Sequence, residues 1–210
     1  MPLDQKLNKY TTASPMLVNF DFVEFASGTG FVDYYLMSTK DSTGTGYILD
    51  SNQNKTATQK SAGAYSAIGT PIDVNFDVLF NKTLTVKGKA ITAITHFNDQ
   101  DGSTRTSTSN MTINIIHVRG AVETVIGTVQ SEDVSGSGVP SGKGITQIQL
   151  TQKTFKRGDT LRVNIVIEVT ATGGSGVALV GFMHDPTGAA AASPYASLDS
   201  KSLLRLPLRI

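Results

Sequence analysis

Three histidines, His96, His117 and His184, and no cysteine are present in 210 residues. Imidazoles at these positions could act as general bases or bind zinc, but no histidine has a second ligand at i+2 or i+4. A zinc site would have to be assembled from distant strands, so buried structural histidines are expected instead. Without cysteine there is no disulfide, no thiolate metal site and no cysteine nucleophile. A Gly-x-Ser-x-Gly elbow is missing, and no carboxylate pair stands apart from the surrounding charges, so the sequence carries no hydrolase signature.

Several short motifs imitate functional ones. Arg157-Gly158-Asp159 matches the adhesion tripeptide, yet it directly precedes the clearest strand pattern in the chain and reads as a turn. Gly142-Lys143 echoes a phosphate loop, but Gly144 stands where Ser or Thr must hold the metal, and no helix follows. Asp99-Gln100-Asp101-Gly102 resembles the middle of a calcium loop, with Phe97 and Thr108 at positions that need ligands; a hairpin turn is expected. Asn54, Asn81 and Asn110 each head a glycosylation triplet and are read as chance matches in a Thr-rich chain. Tyr34, Tyr35, Tyr47, Tyr65 and Tyr195 could line a sugar-binding face, but the chain has no Trp, the most effective stacking side chain.

The elements that would position these residues read as strands. Met16 to Phe25 puts Val18, Phe20 and Phe22 on strand spacing, and a glycine turn leads to Phe31 to Met37, suggesting a hairpin. Tyr47 to Leu49 is a short apolar run before an exposed loop over 50–63. Ile72, Val74, Phe76 and Val78 alternate as in a half-buried strand. Leu84 to Phe97 and Met111 to Val118 read as a long hairpin, followed by a strand over Ala121 to Val129 and a loop over 135–142. Ile145 to Leu150 resumes strand spacing. Leu161, Val163, Ile165, Ile167 and Val169 give the cleanest alternation. Val177 to Met183 follows a glycine turn, residues 187–197 read as a loop, and Leu204 to Ile210 reads as a last strand that Pro207 would place at an edge or bulge.

Composition agrees with this pattern. Apolar residues make up 39% and charged residues 17%, with 20 Gly and 7 Pro. A chain low in charge and rich in Thr, Ser and Gly suits strands and turns better than solvated helices. The expected fold class is all-β: an antiparallel β-sandwich, a jelly roll in the first instance, with an immunoglobulin-like sandwich as the alternative. Residues 1–15 are expected to form an N-terminal arm and residues 16–210 a single domain. With 18 basic and 17 acidic residues, the net charge of +1 gives no general attraction to nucleic acid or anionic membrane. The polar start, Met1-Pro2-Leu3-Asp4-Gln5-Lys6, lacks a signal-peptide h-region and no stretch approaches about 18 apolar residues, so a soluble protein that starts at its initiator Met is expected.

Three segments resemble virion structural proteins of tailed bacteriophages. They are Phe20-Asp21-Phe22 through Ser27-Gly28-Thr29-Gly30-Phe31-Val32, Phe155-Lys156-Arg157-Gly158-Asp159-Thr160-Leu161-Arg162-Val163, and Leu204-Arg205-Leu206-Pro207-Leu208-Arg209-Ile210. The resemblance is one of style across most of the chain and carries no catalytic motif. It implies a non-enzymatic, capsid-associated decoration, cement or minor capsid protein. Such a protein would assemble in the host cytoplasm as a homo-oligomer, possibly a trimer, and contact the major capsid protein or other virion proteins, with no cofactor, metal, nucleic acid or membrane. The alternative is a glycan- or receptor-binding sandwich of a head fibre or tail component. Leu3, Leu7 and Tyr10 in the arm, and Pro186, Pro194 and Tyr195 in the late loop, are the expected assembly contacts, being apolar side chains in weakly structured segments.

Overall fold

The computed structural model describes residues 29–40, 46–51, 60–62, 71–100, 106–136, 141–173, 178–184 and 202–209. They form β1 Thr29–Lys40, β2 Tyr47–Asp50, β3 Lys60–Ala62, β4 Ile72–Leu79, β5 Leu84–Gln100, β6 Thr106–Arg119, β7 Val122–Gln130, β8 Val134–Gly136, β9 Ser141–Phe155, β10 Thr160–Gly173, β11 Ala178–His184 and β12 Leu203–Arg209. The fold is all-β, and no helix among the described residues is long and apolar enough to cross a membrane.

Period-2 alternation explains the strands. In β10, Leu161, Val163, Ile165, Ile167 and Val169 are buried while Arg162, Asn164 and Glu168 lie on the other face. Buried β-branched side chains of this kind pack well on a pleated surface. β10 pairs antiparallel with β4 on one side and with β6 on the other, and β6 then pairs with β7. A second antiparallel run is β1-β12-β5-β9. β11 continues β5 beyond β12 and carries β3, while β8 pairs with β6 beyond β7.

The two runs join through β2, antiparallel to β1 and parallel to β4, the latter by Tyr47↔Phe76 and Ile48↔Asp77. The sheet curls until β7 lies against β9 without pairing to it, so it is nearly closed into a barrel. At this seam Gly127 is tightly confined: a Cβ there would sit 2.7 Å from Leu150 Cδ2, 2.8 Å from Ile148 Cγ2 and 3.2 Å from the Gln149 carbonyl oxygen.

One continuous core fills the interior, with Phe76, Phe155 and Phe182 fully buried. Phe155 meets Phe80 edge to face, with centroids 5.1 Å apart, and Phe76 meets Phe182 at 6.0 Å.

Several expectations are corrected. Residues 84–97 and 111–118 are strands but not a hairpin: β5 pairs with β9, β12 and β11, and β6 pairs with β10, β7 and β8. Each has one apolar face, and Ser109 on β6 reaches His96 on β5 through the core, so the two strands face each other across it. The loop expected over 135–142 is strand at both ends, β8 through Gly136 and β9 from Ser141, and residues 60–62 of the expected 50–63 loop form β3. Pro207 lies on β12, an interior strand between β1 and β5, and not at an edge. The expected bulge is there: the β12–β5 register shifts between Arg205 and Leu208, opposite Gly88, whose φ of +115° requires glycine. The missing proline N–H therefore falls where the ladder is already interrupted. The expected strand over residues 16–25, its hairpin turn and the loop over 187–197 lie outside the described residues.

Candidate functional site

Asp159 is a buried side chain held by several hydrogen bonds. Four residues earlier, Phe155 ends β9, and the Asp159 N–H donates to the Lys156 carbonyl at 3.0 Å, closing a turn with Gly158 at φ +90°. That φ suits the third position of a type II turn, which accounts for the Gly. Phe80, just past the end of β4, extends the β4–β10 ladder onto the turn: its N–H donates to the Asp159 carbonyl at 2.9 Å and its carbonyl accepts from Gly158 N–H at 2.8 Å.

The Asp159 carboxylate is buried and accepts four hydrogen bonds. Arg119 donates Nε to Oδ1 at 2.8 Å and Nη2 to Oδ2 at 2.6 Å, Lys156 N–H reaches Oδ2 at 2.8 Å, and His117 Nε2 reaches Oδ2 at 2.8 Å. The His117 proton therefore sits on Nε2, because the ionised carboxylate has none to donate. The Arg119 contact, ahead of those from His117 and the Lys156 backbone, outweighs burial and holds this carboxyl well below the usual carboxylate range. Arg157-Gly158-Asp159 is accordingly a locked turn, with its carboxylate turned inward and only 3% of the residue exposed.

The other two histidines lie in the core. His96 Nε2 is 3.0 Å from Ser109 Oγ, and its Nδ1 has no hydrogen-bond partner among the described residues. A serine hydroxyl beside an imidazole is the start of a nucleophile–base pair. Here both residues are sealed in, Ser109 at 0% and His96 at 2% exposure, so the contact ties β6 to β5 and meets no substrate. Burial lowers the His96 pKa from 6.5 to about 4, leaving the ring neutral near pH 7. His184 packs among Tyr47, Phe76 and Phe182, with ring centroids 5.0 to 5.7 Å away. No group of three His, Cys, Asp or Glu among the described residues could hold a metal ion.

The solvent face of β4-β10-β6-β7 carries a polar row. Thr128 donates to Asn114 at 2.7 Å, Asn114 to Asn164 at 3.0 Å, and Asn164 to Asn75 at 2.8 Å and to Asp73. In the adjacent row Arg162 forms a two-pronged contact with Asp77 and pairs with Glu123. Three large apolar side chains at this end of the layer are more than half exposed: Val125 at 56% on β7 in the Arg162 row, Leu79 at 67% on β4 one row nearer the Asp159 turn, and Val122 at 65% on β7 opposite Arg119. Leu79 sits on the parity of Asp73, Asn75 and Asp77, and Val125 stands opposite Ile116. This apolar end was missed from sequence. The available signals were Leu79, out of phase with Ile72, Val74, Phe76 and Val78, and two valines three residues apart after the Gly120 turn.

The expected assembly residues, Leu3, Leu7, Tyr10, Pro186, Pro194 and Tyr195, all lie outside the described residues, as do Asn54, Tyr65 and Asp101. The tyrosines do not form one face: Tyr34 is buried against Phe80 on β1 with Tyr35 on the opposite parity, and Tyr47 stacks on Phe76. Asn110 is buried and donates to Asp133, which closes it to glycosylation. Gly142 to Gly144 is strand, paired with Ile94 to His96.

No protein-family model and no curated relative matches the chain. Solved structures do. A CocE/NonD family hydrolase from Staphylococcus aureus is 13% identical with a TM-score of 0.54, the alignment covering 86% of this chain and 37% of that one. An aminopeptidase from a marine sediment Thaumarchaeota archaeon is 10% identical with a TM-score of 0.58, covering 88% and 37%. An alpha-amino acid ester hydrolase is 9% identical with a TM-score of 0.58, covering 85% and 36%. The chain thus spans little more than a third of the enzymes it matches. These neighbours overturn the expectation of a non-enzymatic chain, which rested on missing motifs; at such identities the likeness itself shows the fold alone.

Proposed function

We propose that this chain is a jelly-roll β-sandwich that serves as a virion structural protein, a capsid-associated decoration, cement or minor capsid component stabilising a shell through protein contacts. Numbering β1, β4, β5, β6, β7, β9, β10 and β12 as first to eighth, the two antiparallel runs read 1-8-3-6 and 2-7-4-5. Two interleaved four-stranded layers of this kind are what two Greek keys folded on each other produce, and that architecture recurs in viral shells.

The observation that carries the assembly reading is the apolar end of one layer, where Leu79, Val122 and Val125 are more than half exposed. Val122 and Val125 lie on the outer strand β7 and Leu79 on β4 across the layer, and exposed apolar side chains at a strand edge mark a surface that is buried in an assembly. The test is cosedimentation of the purified chain with shells of the major capsid protein from the same genome, alongside its own mass by light scattering. Pelleting with the shells, lost in a Leu79→Lys, Val125→Lys variant, is the expected result; a chain that stays in the supernatant overturns the reading.

A second reading, a β-sandwich part of a hydrolase, is favoured by the match of 85–88% of this chain to 36–37% of hydrolytic enzymes. Turnover of aryl esters or aminoacyl anilides by the purified chain would support it.

A further inference from the structure

The Leu79, Val122 and Val125 surface lies at the end of the molecule where the chain enters from residues 1–28. Thr29 opens β1 opposite Arg209, and Arg209 stands opposite Thr85, which stands opposite Thr154. The links Phe80 to Thr83 and Lys156 to Asp159 carry this row over to Leu79, Thr160, Val118 and Glu123 in the other layer. Here β7 leaves the seam with β9: Gly127 is clamped there, whereas Val122, Glu123, Thr124 and Val125 are all exposed. Among the described strands β7 pairs only with β6, and none of them pairs with its outer edge.

We propose that residues 18–25 of one copy add as a strand to the outer edge of β7, at Val122 to Val125, in a neighbouring copy. In this segment Val18, Phe20 and Phe22 alternate with Asn19 and Asp21, the spacing of a strand with one apolar face, and Val23 and Phe25 add apolar side chains of the other parity. Its apolar side chains would lie beside the exposed Val125, next to the half-buried Val118, on the solvent side of the sheet. Strand addition supplies main-chain hydrogen bonds for affinity and alternate side chains for specificity.

Reach decides for a second copy. Four Cα steps from Phe25 to Thr29 span at most about 14 Å. Three strand spacings separate β1 from β9, roughly 14 Å, and the edge of β7 lies a further layer away, about 10 Å. This occupant deepens the assembly reading and rests on it.

The chain has no cysteine, so every engineered disulfide is attributable. Thr124→Cys chains carrying one tag are mixed with Asn19→Cys, Asp21→Cys or Glu24→Cys chains carrying another, and oxidised at a concentration where light scattering reads the oligomer. A mixed-tag disulfide with at least one of the three is expected, and Val122→Lys with Val125→Lys should weaken the oligomer by at least about tenfold at unchanged melting temperature. An oligomer that forms no mixed-tag disulfide, or links Thr124→Cys only to itself, overturns the occupant and leaves the assembly reading standing. A chain monomeric at all concentrations also overturns the occupant, and the assembly reading then stands or falls on pelleting with the shells.

Discussion

The Arg119 guanidinium grips the Asp159 carboxylate with two parallel hydrogen bonds, 2.8 and 2.6 Å long, and so fastens the end of β6 to the turn that starts β10. Asp159→Asn keeps the shape and removes the charge that holds Arg119 and His117. The melting temperature should fall clearly, and Arg157→Ala, two turn positions away and exposed, should leave it within about two degrees of wild type, as for surface changes within about 0.5 kcal/mol. Calorimetry on the two variants checks this; equal melting temperatures would remove Asp159 from the fold's supports.

Acid should weaken the protein in two stages. His96 has its folded pKa lowered from 6.5 to about 4 by burial, so between these values the unfolded chain binds a proton that the folded chain refuses. Stability therefore falls as pH drops from 6.5 towards 4, by about 3 kcal/mol in all. Asp159, with its pKa lowered in the folded state, contributes stability above the ordinary carboxylate range and loses it below about pH 4. Urea melts from pH 8 to 3 should show both stages, and His96→Gln should flatten the upper one.

Gly127→Ala should cost about 1–3 kcal/mol, because the new methyl group meets Leu150 and Ile148 in a filled seam. Trimming the neighbour tests the cause. Leu150→Ala combined with Gly127→Ala should be less destabilising than the sum of the single changes in denaturant melts, whereas additive losses would place the defect elsewhere.

Phe155 is fully buried between Phe80 and His117, both edge to face with it. Phe155→Ala should lose about 3–5 kcal/mol by transfer and cavity terms together. Equilibrium unfolding measures it, and a loss below about 1 kcal/mol would mean that the space collapses freely.

Local strand structure was legible in the sequence where one face is buried along a whole element. β4 was read to within one residue, and β10 from one residue inside its start to three short of its end, because alternation is a property of neighbours in sequence. Pairing was not legible. Residues 84–97 and 111–118 looked like two arms of one hairpin, since a polar turn signal between two alternating runs is compatible either with pairing or with crossing to the opposite layer. Only the competition for partners decides, and β9 and β10 win it. The Asp159 cluster was hidden for the same reason: its histidine and arginine arrive from 42 and 40 residues away, while the adhesion-like tripeptide spells out only the turn. Pro207 marked a bulge correctly, but its place between β1 and β5 depends on Gly88, far off in sequence.

The hydrogen-bonded continuity between the two antiparallel runs passes through two residue pairs, Tyr47↔Phe76 and Ile48↔Asp77. Elsewhere along the closure the layers meet through side chains. Mechanically this makes the parallel step a rip-stop with very few threads: a pull that separates the layers loads those pairs first, while a pull along either layer spreads over long ladders.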